Sequence, residues 1–407
     1  MIGRRDGTIG SGPPRTRRSG PVTATVATAL LLVGCGGAAS ATRSTHPPAT
    51  TTTTTVPPAR RVPPGPPSDQ RTLAVTDTIS GPISPKSVAS SSTGLIFAQN
   101  MMYRHSVTVY NSAGALVKTI PDSVTLSDFG VTGRLGVTQG APVEAAFTPD
   151  SRYAYVSNYS MYGAGSGPEG SDSCTPQSAA AAGDTPSFVY RIDLHTLSVD
   201  QVIQVGLVPK VVAVTPDGKY LLVSNWCSWT LSVVDIATAK EVKEIPIGPY
   251  PRGIVVSPDS TTAYVAEMGA SAIHVIDLAT LSDVAQIDVG RGPRALVMDP
   301  TGRYLYATLN QAGEVVKVDL TDDQVVARVT VGEEPRSLAI ASDGQTLYVV
   351  DYDDDNVKAL SASDLSTLQT IPTGVHPIGV TYDNTTGNVW VAVYTGEILV
   401  LSGATAP

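Results

Sequence analysis

A proline recurs every 42 residues through the second half of the chain, and this spacing limits what the chain can fold into. The regular series comprises Pro209, Pro251, Pro293, Pro335 and Pro377. A fixed period of about 40 to 45 residues made of short strands is typical of a β-propeller, in which each repeat forms one four-stranded blade. The sequence therefore predicts an all-β fold, a β-propeller of four-stranded antiparallel blades.

The interior of each repeat supports this prediction. In the copy that starts at Pro251, β-branched segments at 253–257, 263–267, 273–277 and 284–289 alternate with turn residues, as expected for four successive strands. A Pro-Asp-Gly or Pro-Asp-Ser turn separates the first two strands, because proline presets φ and glycine tolerates positive φ.

Two earlier prolines complete the set of repeats. Pro142 lies 67 residues before Pro209, one period plus an insertion of 25, and Pro85 lies 57 residues before Pro142, one period plus 15. Seven repeat starts predict seven blades. The last copy lacks a fourth strand, and residues 73–81 have the pattern of that strand. We therefore expect the N-terminal strand to complete the last blade and close the ring, which protects strand edges from aggregation.

The N-terminal region has the composition of an export signal. Residues 1–35 contain several arginines, then an apolar stretch at 22–33 that is too short to span a membrane, and they end in Leu-Val-Gly-Cys. This ending resembles a lipoprotein lipobox, which implies that Cys35 is lipidated; an ordinary signal peptide with an incidental thiol is the alternative. Residues 36–70, rich in Ala, Thr and Pro, predict a disordered tether, and residues 71–402 the propeller. We expect an exported protein held at the outer side of the cell membrane only by Cys35.

Charge is distributed unevenly along the chain. The whole chain has a net charge of −9, but the eight arginines and two aspartates of residues 1–70 leave 19 basic and 34 acidic residues in 71–407, a net charge of −15. A phosphate backbone would be repelled by this field. We therefore expect no nucleic-acid partner.

Two cysteines remain after Cys35. Cys227 follows the second strand of its blade, and Cys174 lies in a long insertion at the equivalent point of the preceding blade. An oxidising compartment favours a disulfide between them. Two free thiols are the alternative, since sequence spacing does not show whether the Cα atoms come within bonding range.

One face of the predicted ring carries both long insertions, 121–140 and 160–187, and such a face commonly binds a ligand. The residue after the repeat proline should circle the mouth of the central channel on this face. It is cationic in five of seven copies: Lys86, Lys210, Arg252, Arg294 and Arg336. These cations predict either a site for an anionic ligand or ion pairs with carboxylates of adjacent blades, such as Glu267 or Asp351.

Aromatic residues recur at the same predicted rim, seventeen residues after a repeat proline: Tyr159, Trp226, Tyr352 and Tyr394. They either stack on a ligand or pack between blades. His376 is a further binding candidate beside the channel.

Signatures of catalysis are scarce. The sequence has no His or Cys pair at metal-ligand spacing, no nucleophile elbow and no phosphate-binding glycine loop. The acidic run 351–356 lacks the glycine and distal glutamate of an EF-hand and is interpreted as a solvated loop. We predict no catalytic residue, no metal and no cofactor.

The repeat carries a recognisable signature in Tyr155-Val156-Ser157-Asn158 and in Leu222-Val223-Ser224-Asn225 followed by Ser232-Val233-Val234-Asp235. It resembles the YVTN-repeat β-propeller family over nearly all of residues 71–401. The resemblance implies an exported or surface-associated protein, and related propellers include lactonases, a streptogramin lyase and redox-enzyme subunits, whose catalytic residues do not map onto this chain.

Two functions are consistent with these observations. The first is a monomeric, non-enzymatic module that binds a small anionic ligand or an envelope protein through the face with the two insertions. The alternative is a metal-dependent hydrolase or lyase that acts on a lactone-like small molecule in the central channel.

Overall fold

A computed structural model describes Pro63 and residues 65–403. The predicted export signal with Cys35 and most of the predicted tether lie outside the described residues, so those assignments stay predictions. Among residues 65–403, no helix combines the length and the hydrophobicity that a membrane span requires.

Strands form seven antiparallel sheets, which confirms the predicted seven-bladed propeller. After β1 (Leu73–Ser80), blade 1 contains β2 (Ser87–Ser90), β3 (Leu95–Asn100), β4 (Ser106–Asn111) and β5 (Leu116–Pro121). Blade 2 contains β6 (Ser123–Thr125), β7 (Val137–Phe147), β8 (Tyr153–Tyr162), β9 (Phe188–Asp193) and β10 (Ser198–Gln204). Blade 3 contains β11 (Pro209–Val214), β12 (Tyr220–Asn225), β13 (Thr230–Asp235) and β14 (Lys240–Pro246).

The remaining blades follow the repeat closely. Blade 4 contains β15 (Pro251–Val256), β16 (Thr262–Glu267), β17 (Ala272–Asp277) and β18 (Ser282–Asp288). Blade 5 contains β19 (Pro293–Met298), β20 (Tyr304–Leu309), β21 (Glu314–Asp319) and β22 (Gln324–Thr330). Blade 6 contains β23 (Pro335–Ile340), β24 (Thr346–Asp351), β25 (Asn356–Ser361) and β26 (Thr367–Pro372). Blade 7 contains β27 (Pro377–Tyr382), β28 (Val389–Val393) and β29 (Glu397–Gly403).

Helical structure is confined to short segments. Two 3-10 turns span Ser68–Gln70 and Leu126–Phe129, and α1 spans Pro176–Ala182 within the insertion of blade 2.

The N-terminal strand closes the ring, as predicted. β1 pairs antiparallel with β29, from Leu73 opposite Gly403 to Ser80 opposite Glu397, and becomes the outer strand of blade 7. Gln369 in blade 6 exchanges two hydrogen bonds with the backbone of Leu73, at 2.9 and 2.7 Å. The first strand is therefore fixed to both of the last two blades.

Burial explains the strand pattern within a blade. The second and third strands pack against neighbouring blades on both faces, so β24 is buried at every position, whereas the outer strand β22 alternates exposed and half-buried residues. Large aromatic side chains fill the space between blades and are fully buried, among them Tyr306, Tyr348 and Trp390. These contacts give the ring its hydrophobic core.

Blade 2 departs from the predicted four strands. Its insertion at 121–140 contains β6, which pairs with the start of β7 and gives this sheet five strands. β7 is consequently 11 residues long, against six in most other inner strands.

The start of the inner strand has a recurrent irregularity. In blades 2 to 7 the pairing register shifts just after the repeat proline, for example between Pro251 and Ile254. The residue before the proline has positive φ in five blades: Val208, Tyr250, Gly292, Glu334 and His376. Such bulges re-aim side chains, and in blades 4 to 7 the residue after the proline lines the channel: Arg252, Arg294, Arg336 and Ile378.

Candidate functional site at the mouth of the channel

The five cations predicted from the repeat come together at one end of the central channel. Arg252, Arg294 and Arg336 line a cavity of about 250 Å³ between the inner strands. Lys86 and Lys210 complete the group, and the other four cations all lower the pKa of Lys86. We call these five residues the cationic ring. Lys210, Arg252 and Arg294 are almost fully buried, with 4%, 7% and 6% of their surface exposed.

Few carboxylates neutralise the cationic ring. Lys210 Nζ lies 2.9 Å from Asp172, and Arg336 pairs with Glu334 two residues before it. The guanidinium of Arg252 donates no hydrogen bond to any residue in 65–403, although Glu144 and Asp172 act on it electrostatically. The strongest charges acting on Lys86 are the other four cations.

The two carboxylates considered as partners for these cations bind elsewhere. Glu267 lies 3.1 Å from His274 Nε2, and Asp351 accepts a hydrogen bond of 2.7 Å from Lys358. Both contacts lie within a single blade. Neither carboxylate therefore pairs with the ring, but the predicted alternative of ion pairs between adjacent blades is met in one place, where Lys210 of blade 3 pairs with Asp172 of the blade 2 insertion.

Burial and mutual repulsion disfavour the charged forms of the ring. Burial, reinforced by Arg252, holds the pKa of Lys86 well below its usual value, and burial lowers the pKa of Lys210 to about 7. The pKa of Arg294 falls well below its usual value through burial and the nearby Arg252. The carboxylates of Asp172, Glu334 and Glu144 thus offset the repulsion within the ring only in part.

The Lys210–Asp172 pair is asymmetric. Burial opposes ionisation of Asp172, but the Lys210 ammonium outweighs it and lowers the pKa of the carboxyl. For Lys210, burial together with Arg252 and Arg294 outweighs the attraction of Asp172, so its own pKa also falls. The lysine is the more deeply buried partner, because its side chain is 5% exposed against 75% for Asp172.

One acidic residue inside the cavity was missed by sequence reasoning. Glu144 follows the repeat proline Pro142 by two residues and lines the cavity with Arg252 and Arg294. Burial raises the pKa of its carboxyl, and Arg252 opposes this effect. The other six copies have Ser, Val, Gly or Ala at this position, so a comparison of the aligned repeats would have revealed it.

The insertion of blade 2 covers one side of the mouth. The predicted disulfide is confirmed, since Cys174 is bonded to Cys227 with their Cα atoms 5.4 Å apart. We call residues 163–187 the lid. Trp226 Nε1 donates to the carbonyl of Asp172 and Tyr159 OH to that of Gly170. A Cβ at Gly170 would overlap the side chain of Val208, so the close approach of the lid requires glycine here.

The two insertions also contact each other. Arg134, in the 121–140 insertion, donates to Ser166 Oγ at 2.8 Å and to the carbonyl of Pro186 at 3.3 Å, both in the lid. Its guanidinium lies over the Phe188 ring. The structure therefore places both insertions on one face, as predicted.

The four predicted aromatic residues fall into two pairs. Tyr159 and Trp226 are buried under the lid, and Lys210 Nζ lies 4.1 Å and 5.1 Å from their ring centres. Tyr352 and Tyr394 stay partly exposed; Arg336 lies 3.5 Å above Tyr352, and Lys86 lies 5.9 Å from Tyr394. The rings thus contact the cations without neutralising them.

The four described histidines occupy different surroundings. His376 stacks flat on Tyr352 at the rim, His105 contacts the carbonyl of Gly140, and His274 lies between Glu267 and Asp283. His195 is exposed in the turn after β9.

The acidic run 351–356 is more ordered than the predicted solvated loop. Asp351 is fully buried against Lys358, and Asp355 accepts the backbone N–H of His376. Across residues 65–403, no group of three or more His, Cys, Asp or Glu side chains converges as metal ligands do.

Comparison with known proteins supports the fold. The family model described as the cytochrome D1 heme domain matches residues 258–398, from blade 4 to blade 7. The hydrazine synthase of Kuenenia stuttgartiensis is 19% identical, with a TM-score of 0.62, over 81% of this chain and 98% of its own. No curated protein matches the sequence. The chain is thus a β-propeller with partial similarity to the cytochrome D1 heme domain; the resemblance to YVTN-repeat propellers stays a prediction.

Proposed function

We propose that the protein binds a small oxyanion, a carboxylate or phosphate group, in the cationic ring. The observation that carries this proposal is that Lys86, Arg252 and Arg294 have no ion-pair partner among residues 65–403, although Arg252 and Arg294 are buried and Lys86 is half-buried. A buried charge without a partner is costly to the folded state. An anion that supplies the missing partner would recover part of that cost as binding energy.

The chemistry of the donors favours oxyanions. A guanidinium presents a planar fork of N–H donors that matches a carboxylate or a phosphate, and an ammonium adds a compact charge. Three guanidinium groups border one cavity of about 250 Å³, which is below the range of about 300–1,000 Å³ typical of whole small-molecule sites. The cavity therefore suits an anionic group or a small anion.

The acidic surroundings strengthen this selectivity. The chain carries a net charge of −9, so an excess of positive charge in one channel is a local exception. Low-dielectric walls around charges of one sign focus their field. An anion would be repelled by most of the surface and attracted at the mouth.

The similarity to a haem domain requires a test of whether the site fits haem. Haem iron takes an axial His, Cys, Met or Tyr ligand. The described residues that line the cavity include no His, Cys, Met or Tyr. His376 lies outside the cavity, where it stacks on Tyr352 at the rim. The donor set of the described cavity therefore does not fit haem, and we assign it none.

The alternative of a metal-dependent hydrolase or lyase has less support from the geometry. It requires three or four carboxylate, Asn or His ligands that converge at the inner-strand ends. In the described chain these ends carry cations, with Glu144 and Asp172 beside them. This arrangement favours anion binding.

Titration calorimetry on the purified full-length protein tests the proposal. Inorganic phosphate and tricarballylate are the probes, in a buffer free of other oxyanions. We expect Arg252→Gln and Arg294→Gln each to weaken binding about tenfold or more, because a hydrogen bond to a charged group contributes about 1.5–3 kcal/mol.

Arg303→Gln is the matched control. Arg303 is half exposed and pairs with Asp319 away from the cavity, so its loss should leave affinity unchanged. Absence of binding by both probes, equal affinity in Arg252→Gln, or binding of haem in preference to either probe would contradict the proposal.

A further inference from the structure

The two sides of the channel mouth differ in how their aromatic residues are covered. On the side of blades 2 and 3 the lid buries Tyr159 and Trp226, which keep 6% and 8% of their surface exposed. On the side of blades 6, 7 and 1 no described insertion covers the rim. There Tyr103 is 87% exposed and Tyr394 37% exposed.

The uncovered residues form one group. The rings of Tyr352 and His376 stack in parallel, 4.3 Å apart, and Tyr394 meets Tyr352 edge to face at 6.3 Å. Tyr103 lies in the loop between β3 and β4 of blade 1, which is equivalent to the loop between β28 and β29 that carries Tyr394 in the adjacent blade 7. We call Tyr103, Tyr352, His376 and Tyr394 the aromatic arc.

The aromatic arc adjoins the cationic ring directly. Arg336 packs over the face of Tyr352 at 3.5 Å, and Lys86 Nζ lies 5.9 Å from the centre of the Tyr394 ring. A molecule held by these cations would therefore have its remaining atoms beside the arc. No arc residue lines the cavity of about 250 Å³, so the arc would contact only the part of the molecule that extends from the cations toward the rim.

We propose that the natural ligand is an aromatic oxyanion, an aryl carboxylate or aryl phosphate, with its anionic group in the cationic ring and its ring against the aromatic arc. This inference rests on the proposed oxyanion binding. Tyr103 and Tyr394 are exposed and Tyr352 and His376 are half-buried, so the arc offers aromatic surface for offset or edge-to-face contact. Such contact distinguishes an aromatic body from a saturated one of similar size.

Calorimetry with matched probes separates this inference from simple anion binding. Phenyl phosphate and cyclohexyl phosphate have the same anionic group and hydrocarbon rings of similar size. Inorganic phosphate has the anionic group without a hydrocarbon ring. We expect phenyl phosphate to bind about three- to tenfold more tightly than cyclohexyl phosphate, the range expected for one or two aromatic contacts. Benzoate against cyclohexanecarboxylate repeats the comparison for the carboxylate class.

Variants of arc residues test whether the arc causes the preference for phenyl phosphate over cyclohexyl phosphate. Tyr394→Leu keeps apolar bulk, and Tyr103→Asn suits the positive φ of 61° at that position. Each should reduce the phenyl-to-cyclohexyl ratio toward one while leaving the affinity for inorganic phosphate within twofold. Tyr220→Leu, at the start of β12 and remote from the arc, is the control and should keep the full ratio.

The outcomes are distinguishable. If no phosphate species binds, the proposed function itself fails. If inorganic phosphate binds but the phenyl and cyclohexyl esters bind equally, or the ratio survives in Tyr394→Leu and Tyr103→Asn, oxyanion binding stands and the aromatic ligand is rejected.

Discussion

Lys210 shows at the scale of one residue how the site departs from ordinary packing. Its ammonium is buried between two aromatic rings and contacts one carboxylate, while Arg252 and Arg294 repel it. A lysine that served stability alone would be matched by enough negative charge to keep its usual pKa. The lowered pKa indicates that the folded state tolerates this charge at a cost.

This cost predicts how stability depends on pH. The pKa of Lys210 in the folded state is about 7, against 10.5 for an ordinary lysine. Between these values the unfolded chain binds more protons, so the free energy of unfolding should rise from pH 7 toward pH 10, by at most about 1.4 kcal/mol per pH unit from this group. Below pH 7 this contribution is constant.

Urea unfolding at pH 6, 7, 8 and 9 measures the effect, with Lys210→Met as the comparison. The difference in unfolding free energy between wild type and variant should change with pH between 7 and 9 in the direction that favours the wild type. A difference that stays constant with pH would show that Lys210 titrates normally.

Sequence reasoning located the cations but not their counter-charges. The ring residues follow the repeat proline, so the period of 42 residues places them at equivalent points. Glu144, one of the counter-charges, also lies at a fixed point of its repeat, two residues after Pro142, so an alignment of the repeats would reveal it. Asp172 could not be predicted, because it lies in the lid, where no repeat fixes the path of the chain.

The lid is the element that makes the site asymmetric. Three interactions anchor it: the Cys174–Cys227 disulfide, the hydrogen bond from Trp226 Nε1 to the Asp172 carbonyl, and the hydrogen bond from Arg134 of the other insertion to Ser166. The disulfide was predictable because equivalent loops of adjacent blades emerge side by side. β6 was not, since a strand inside an insertion has no counterpart in the other repeats.

Removal of the disulfide should loosen the lid. The bond closes a loop of 53 residues, and Cys174→Ser combined with Cys227→Ser should lower the free energy of unfolding by about 2–4 kcal/mol. Limited proteolysis should then cut first within 163–187. Unchanged stability and unchanged protease resistance would show that the remaining contacts hold the lid without the bond.

At the scale of the whole molecule, closure of the ring determines the site. Seven inner strands surround one channel, and β1 holds blade 7 in place by pairing with β29. The repeat period predicted this architecture because each copy carries the same turns and strand lengths. The excess positive charge of the channel is a collective property, since it depends on which blades face one another and on where the lid lies.

The central claim is that an oxyanion occupies the cationic ring, and a crystal of the protein soaked in sodium selenate tests it most directly. Anomalous scattering at the selenium edge would locate the ion without ambiguity. We predict a peak in the channel within hydrogen-bond distance of Arg252 and Arg294, and its loss in Arg252→Gln. A channel without a selenate peak, at concentrations that saturate sites elsewhere on the molecule, would contradict the claim.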